Sequence, residues 1–312
     1  MSVRLSLVVP CYNEAAVIDE TAARLTAVMD QLHARDRIDS ASEIYFVDDG
    51  SRDETWQRIE LLAQRYPGVR GIKLSRNRGH QVALLAGLLT VPGDAVISLD
   101  ADLQDDPNAI EAMLEAHAAG AQIVYGIRRS RRSDSAFKRF TAERCYALLA
   151  AIGVDIVFNH ADFRLLGRRA LDALSEFSEA NLFLRGLVPQ LGFPIASVYY
   201  DRAPRFAGET KYPTRRMLSL AWDGITSFSA VPLRMITTMG FIISIGSLAV
   251  ATWAICVRLF TIEAVPGWAS TVVPMYLLGG IQLLSLGIIG EYLAKTYLES
   301  KRRPRYFIEK TL

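Results

Sequence analysis

The residues best suited to chemistry lie in one short stretch, Ile97-Ser-Leu-Asp-Ala-Asp-Leu-Gln-Asp-Asp-Pro107. The apolar run 95–99 has the composition of a buried strand, and it stops abruptly at Asp100, Asp102, Gln104, Asp105 and Asp106. Pro107 then suits the first turn of a helix. Carboxylates at the carboxyl end of a strand stand where open α/β sheets bind their ligands. Asp100 and Asp102 can both reach one divalent cation if the backbone bends after the strand. Hard oxygen donors of this kind suit Mg²⁺ or Mn²⁺ carrying substrate phosphates. Taken alone, the Asp-x-Asp leaves a second reading open: a solvated acidic turn that caps the following helix.

The elements that must position this stretch alternate along the chain. Strands are expected at 5–9, 43–47, 69–74, 95–99, 123–126 and 195–200, with helices at 15–33, 55–66, 79–89 and 107–118. Asn13 is a plausible cap for the first helix. Such alternation predicts a parallel sheet covered on both faces. Polar clusters fall at the carboxyl ends of the first, second and fourth strands: Tyr12/Asn13/Glu14, Asp48/Asp49 and Asp100/Asp102. Three clusters on one edge make a crevice for a nucleotide, with base and ribose on the first two turns and the diphosphate with its metal on the third.

Beyond the sheet the composition changes. Arg128, Arg129, Arg131, Arg132, Lys138 and Arg139 form a basic run leading into a helix to about 152. It reads as a solvated face or as a surface lying against anionic headgroups. Asp162, between apolar neighbours in Ala161-Asp-Phe-Arg-Leu165, fits a helix cap, an ion pair with Arg164 or a catalytic carboxylate. His80 and His160 read as structural histidines. Arg205 and Lys211 sit on a loop around Gly208, where they suit phosphate oxygens. Residues 214–228 carry Leu218, Ala221, Trp222 and Ile225 on one face, the pattern of a helix lying in a membrane interface.

The apolar residues, 51% of the chain, concentrate at 235–257 and 272–294. Each run is long enough for a bilayer, which needs about 20 such residues. Arg215, Arg216 and Arg234 precede the first; Lys295, Lys301, Arg302, Arg303 and Arg305 follow the second; between them stand only Arg258 and Glu263. This bias places both chain ends in the cytoplasm. Glycines 279, 280, 287 and 290 permit close helix packing and a homo-oligomer. The net charge of +2 makes no case for nucleic acid, and the three cysteines have no metal-ligand spacing. The first ten residues read as a strand, not a signal peptide.

The strings Val8-Val-Pro-Cys-Tyr-Asn-Glu14, Val47-Asp-Asp-Gly-Ser51, Asp100-Ala-Asp-Leu-Gln104 and Gly208-Glu-Thr-Lys-Tyr212 resemble family 2 glycosyltransferases of the GT-A fold. Among these they are most similar to the polyprenyl-phosphate glycosyltransferases, a group that includes dolichol-phosphate mannose synthase. Gly224-Ile-Thr-Ser-Phe-Ser229, Pro232-Leu-Arg234, Gly290-Glu-Tyr292 and Lys301-Arg-Arg-Pro-Arg-Tyr306 extend the resemblance to bactoprenol glucosyltransferases. No Gln-x-x-Arg-Trp occurs, which disfavours a processive synthase. The resemblance implies a Rossmann-like GT-A domain over 1–212, an amphipathic helix over 213–234, a transmembrane hairpin over 235–294 and a basic tail over 295–312. It implies that Pro10, Tyr12, Glu14, Val47 and Asp49 hold the nucleoside, and that Ala101 lines the ribose and diphosphate. Asp102 and Gln104 would take the metal, Mg²⁺ or Mn²⁺, with Asp100 close by. Arg128 would lie near the sugar donor, Arg205 and Lys211 would hold phosphates, and Asp162 would act as base or acceptor positioner. Glu209 departs from the Ser or Asp of many members. The implied activity is inverting transfer of a hexose, glucose from UDP-glucose, to undecaprenyl phosphate at the inner membrane. GDP-mannose or a UDP-linked modified arabinose are alternative donors, and a non-catalytic nucleotide-sugar-binding scaffold is the alternative outside enzymology.

Overall fold

The computed structural model describes residues 2–129, 160–179, 182–201, 231–260 and 268–312. The basic run past Arg129 with its helix, the loop carrying Arg205 and Lys211, and the helix expected at 214–228 lie outside these residues.

Four β–α units come first: β1 (Leu5–Cys11), α1 (Ile18–Ala34), β2 (Glu43–Asp48), α2 (Thr55–Arg65), β3 (Val69–Leu74), α3 (His80–Thr90), β4 (Ala95–Ser98) and α4 (Ala109–Ala118). Each strand is a short apolar run, and each helix buries one stripe. α2, for instance, turns Trp56, Ile59 and Leu62 inward and leaves Leu61 exposed. β1 pairs in parallel with both β2 and β4, and β2 with β3, as the alternation predicts.

Next come β5 (Ile123–Arg128), β6 (His160–Gly167), α5 (Arg168–Ser175), α6 (Leu184–Gln190) and β7 (Ile195–Tyr200). The eight-stranded sheet runs β7-β5-β6-β4-β1-β2-β3-β8. β6 enters between β4 and β5 and is antiparallel to both, so the sheet is mostly parallel but mixed. Asp162 therefore lies on a strand, which corrects the helix-cap reading. Strand alternation sends Phe163 and Leu165 to the α1/α2/α4 face of the sheet, while Asp162, Arg164 and Leu166 point to the other, which α3, α5 and α6 cover.

Two long helices follow, α7 (Val231–Phe260) and α8 (Trp268–Ser300), longer than the apolar runs inside them. Each contains a segment long and apolar enough to cross a membrane, and none of either segment is buried against the protein. The chain then returns to the sheet. β8 (Ile308–Thr311) adds to the β3 edge in antiparallel register, with Ile72 opposite Thr311. Within the basic segment 295–312, helix runs to Ser300 and residues 308–311 join the sheet. Leu312 donates its amide to Gly71 O at 2.9 Å, and Lys310 pairs with Glu60 at 2.7 Å.

Candidate active site

The carboxyl ends of β1, β2 and β4 meet at one edge, as the spacing of polar clusters predicts. The turn after β1 is fastened to the turn after β2. Asn13 adopts a left-handed backbone (φ 53°), accepts the Arg52 amide at 2.9 Å and donates its own amide to Ser51 Oγ at 3.0 Å. It bridges two loops and is not the cap of α1, which begins at Ile18. The Glu14 amide donates to Thr55 Oγ1 at 2.9 Å. Tyr12 and Glu14 are half-buried, at the crevice expected to take the nucleoside.

Pro10, Val47 and Asp49 are buried. Asp49 accepts the amides of Arg78 at 2.7 Å and Gly79 at 2.8 Å, one on each carboxylate oxygen. Burial pushes its carboxyl above the ordinary range, and these two amide bonds pull the other way. As built, Asp49 fastens the loop that leads into α3. Gly50 allows the close approach. Its φ is +65°, and a Cβ there would sit 2.6 Å from the backbone of Arg76 and Asn77.

The loop after β4 is held from both sides. Ala101 is buried and its carbonyl accepts Thr21 Oγ1 from α1 at 2.8 Å. Leu103 is buried with φ +56°, a left-handed conformation that costs a bulky residue roughly 1–3 kcal/mol. The twist sits between Asp102 and Gln104, and Asp102 Oδ1 accepts the Gln104 amide at 3.2 Å. Asp105 is buried and anchors Arg128 at 3.2 Å and the Tyr200 hydroxyl at 2.5 Å. Arg128 thereby braces the acidic loop from β5.

Across β4 stands a cluster centred on Asp162. Its Oδ1 accepts Arg164 Nη2 at 2.6 Å and Arg185 Nε at 3.3 Å; its Oδ2 accepts Arg185 Nη2 at 3.2 Å. His80 Nε2 lies 3.3 Å from Asp162 Oδ2 and 3.5 Å from Asp100 Oδ1. The ion pair with Arg164 is the one the sequence suggested; His80 and Arg185 were not foreseen as members. Burial disfavours charge on Asp162, yet the His80 hydrogen bond and the two guanidinium groups hold its carboxyl well below the usual range. Burial opposes the imidazolium too, but Asp162 and Asp100 outweigh it and raise His80 to about 9. Asp100 is pushed up to about 6 by burial, with His80 opposing and Asp162, Asp105 and Asp102 adding.

Two donor sets could receive a divalent ion. His80, Asp100 and Asp162 offer ligand atoms within 4.8 Å of one another. However, both Asp162 oxygens already accept guanidinium hydrogens, so that group is built as an ion-pair network. Asp100, Asp102 and Gln104 offer hard oxygen donors on a strained, doubly anchored loop, a set that fits Mg²⁺ or Mn²⁺ better.

The mostly parallel sheet with its covering helices and the acidic loop at its carboxyl edge define a GT-A glycosyltransferase fold. The solved glucosyl-3-phosphoglycerate synthase of Mycobacterium tuberculosis superposes with a TM-score of 0.51 at 21% identity, over 72% of this chain and 79% of that one. The chain belongs to glycosyl transferase family 2, whose model matches residues 6–175. The glycosyltransferase YkoT of Bacillus subtilis is 48% identical over 98% of this chain and 91% of its own. The bactoprenol glucosyl transferase of Shigella phage SfV is 38% identical, with 98% of each chain covered.

Proposed function

We propose that this glycosyltransferase is a membrane-bound, metal-dependent, inverting enzyme that moves glucose from UDP-glucose onto undecaprenyl phosphate at the cytoplasmic face. The observation that carries this reading is the end-to-end likeness to a bactoprenol glucosyl transferase, through both apolar helices and the returning strand. The proposed units are the GT-A domain, the interface helix at 213–234 and the hairpin at 235–294. The proposed site comprises Tyr12 and Glu14 at the nucleoside, over a floor of Pro10, Val47 and Asp49. Ala101 lies under the diphosphate, with Asp100, Asp102 and Gln104 at the metal, and Arg205 and Lys211 at the phosphates. Arg128 acts through Asp105 rather than on the sugar.

A divalent ion bound there would neutralise the charge that develops on the departing nucleoside diphosphate. The chain's own residues do the rest. The strained turn at Leu103 fixes the backbone between Asp102 and Gln104. The β1 and β2 turns, locked together through Asn13 and Ser51, fix the nucleoside. A phosphomonoester acceptor is already an anion near neutral pH and needs little help from a base. A carboxylate held ionised by two guanidinium groups is a weak base in any case, so Asp162 serves as a positioner.

The test is transfer of label to lipid. Purified protein in detergent is incubated with undecaprenyl phosphate, Mg²⁺ or Mn²⁺ and a panel of labelled nucleotide sugars, with EDTA and Asp102→Asn as controls. Organic-phase label from UDP-glucose, abolished by EDTA and by the variant, is the expected result. Label from GDP-mannose or a UDP-pentose instead would overturn the donor. No label from any donor, with nucleotide binding intact, would overturn turnover on this lipid altogether.

A further inference from the structure

Asp105, one residue after Gln104, is a buried carboxylate held through a single oxygen. It is 3% exposed. Its Oδ1 accepts the Tyr200 hydroxyl at 2.5 Å and Arg128 Nη2 at 3.2 Å. Its Oδ2 is buried and has no hydrogen-bond partner among the described residues. The two donors arrive together because of the sheet. β7 pairs in parallel with β5 and sets Tyr200 opposite Arg128. Arg128 Nε also donates to the Tyr200 hydroxyl at 3.3 Å, so that hydroxyl accepts from the guanidinium and donates to the carboxylate. Tyr200 is the one fully buried residue of β7. Its ring meets Phe163 edge-on, with centroids 5.3 Å apart. A phenylalanine would fill the same space without taking a hydroxyl out of water, which costs free energy unless the hydroxyl is bonded. The bond to Asp105, not the packing, is what calls for tyrosine here.

The acidic loop is pinned at two points. Thr21 Oγ1 holds the carbonyl of Ala101 at 2.8 Å, and Tyr200 with Arg128 holds Asp105. Asp102 and Gln104 stand between these pins, on either side of the left-handed Leu103. Loss of the second pin would free the strained turn to relax and would move the backbone under both residues. We infer that Tyr200 is a positioning residue for the divalent ion: acting through Asp105, its hydroxyl holds the backbone that carries Asp102 and Gln104 in the shape that binds the metal. This deepens the proposed function and rests on its reading of a metal at these residues. The hydroxyl comes from an edge strand, 95 positions further along the chain than the carboxylate it holds, so no local pattern joins the two.

Tyr200→Phe, Asp105→Asn and the double variant, each in the full chain, test this. Free Mn²⁺ counted by electron paramagnetic resonance gives the Mn²⁺ affinity in the presence of UDP. Isothermal titration in EDTA gives the UDP affinity without metal. Tyr200→Phe should weaken Mn²⁺ binding about tenfold, the scale of one hydrogen bond to a charged group, while metal-free UDP affinity shifts less than about twofold. In the Asp105→Asn background Tyr200→Phe should cost nothing further, because its route to the loop is gone. Unchanged Mn²⁺ affinity in Tyr200→Phe overturns the inference. An equal loss of metal-free UDP binding also overturns it, being the mark of general damage to the fold. Losses that multiply in the double variant overturn it too, since Tyr200 would then act elsewhere. Should Asp105→Asn not fold, Tyr200→Phe decides by the two affinities. Two outcomes separate this inference from the metal reading. Wild-type protein that binds UDP but no Mn²⁺ overturns the metal reading and the inference with it. Wild-type protein that binds Mn²⁺ no better than Tyr200→Phe keeps the metal reading and overturns the inference alone.

Discussion

At the scale of single residues, Asp162 separates two views of the site. Its type and its apolar neighbours were legible as a buried carboxylate, and Arg164 two positions on was legible as its partner. His80 and Arg185 were not, because their contacts with it depend on how α3 and α6 pack over β6, which no local pattern encodes. The consequence is testable. If Asp162 were only a base, Asp162→Asn would abolish turnover and leave the fold untouched. In the network described here, the same change leaves Arg164 buried without a counter-charge, which typically costs about 3–5 kcal/mol. Thermal unfolding of Asp162→Asn should therefore fall by roughly 6 °C or more. Turnover lost with an unshifted midpoint would reinstate the base. Asp49 gives a milder case. Asparagine keeps one acceptor oxygen and loses the other, so the Arg78 or Gly79 amide goes unsatisfied at a cost of about 1–3 kcal/mol. Donor KM should rise in Asp49→Asn through the displaced loop, and circular dichroism should remain native.

At the scale of elements, the first four β–α units were readable because each strand is a short apolar run and each helix has an apolar stripe. β6 was not readable: a charged pair, Asp162 and Arg164, occupies its buried face, and that composition does not suggest a strand. β8, Ile-Glu-Lys-Thr, is exposed along its whole length and owes its conformation to the edge it joins. How α3 meets the sheet decides where His80, its first residue, stands. Gly87 makes that contact. A Cβ there would lie 2.4 Å from Val8 Cγ1 and 2.8 Å from Val47 Cγ2. Gly87→Ala should gain roughly 1 kcal/mol of helix propensity and lose about 1–3 kcal/mol to overpacking, a net loss of stability. The helix must lift from β1 and β2, so nucleotide affinity should fall with the unfolding midpoint. Adding Val8→Ala, which removes the nearest clashing methyl, should restore part of both. A Gly87→Ala protein as stable as wild type would mean that α3 is not seated on this contact.

At the scale of the whole molecule, sheet and apolar helices are joined at both ends. The chain leaves the sheet after β7, runs through α7 and α8, and returns as β8 to the far edge, where Tyr306 and Leu312 pack against the two cores. β7 before the helices and β8 after them thus belong to one sheet. A body of this kind cannot straddle a bilayer, so a chain that leaves it and returns crosses an even number of times. With two helices suited to crossing among the described residues, the proposed hairpin puts Ser270, near the start of α8, opposite the sheet. The basic residues Lys295, Lys301, Arg302, Arg303 and Arg305 follow the second helix, the charge bias behind the proposed cytoplasmic placement of the sheet. The prediction concerns two cysteines introduced singly, Ser270→Cys and Glu309→Cys, in a background with Cys11, Cys145 and Cys256 replaced by alanine. In intact cells a membrane-impermeant maleimide should label position 270, and it should reach position 309 only after permeabilisation. Labelling of both positions, or of neither, in intact cells would instead mean that the two helices lie along the surface. The even count would then be zero, and the catalytic edge would reach the proposed lipid acceptor without a transmembrane anchor.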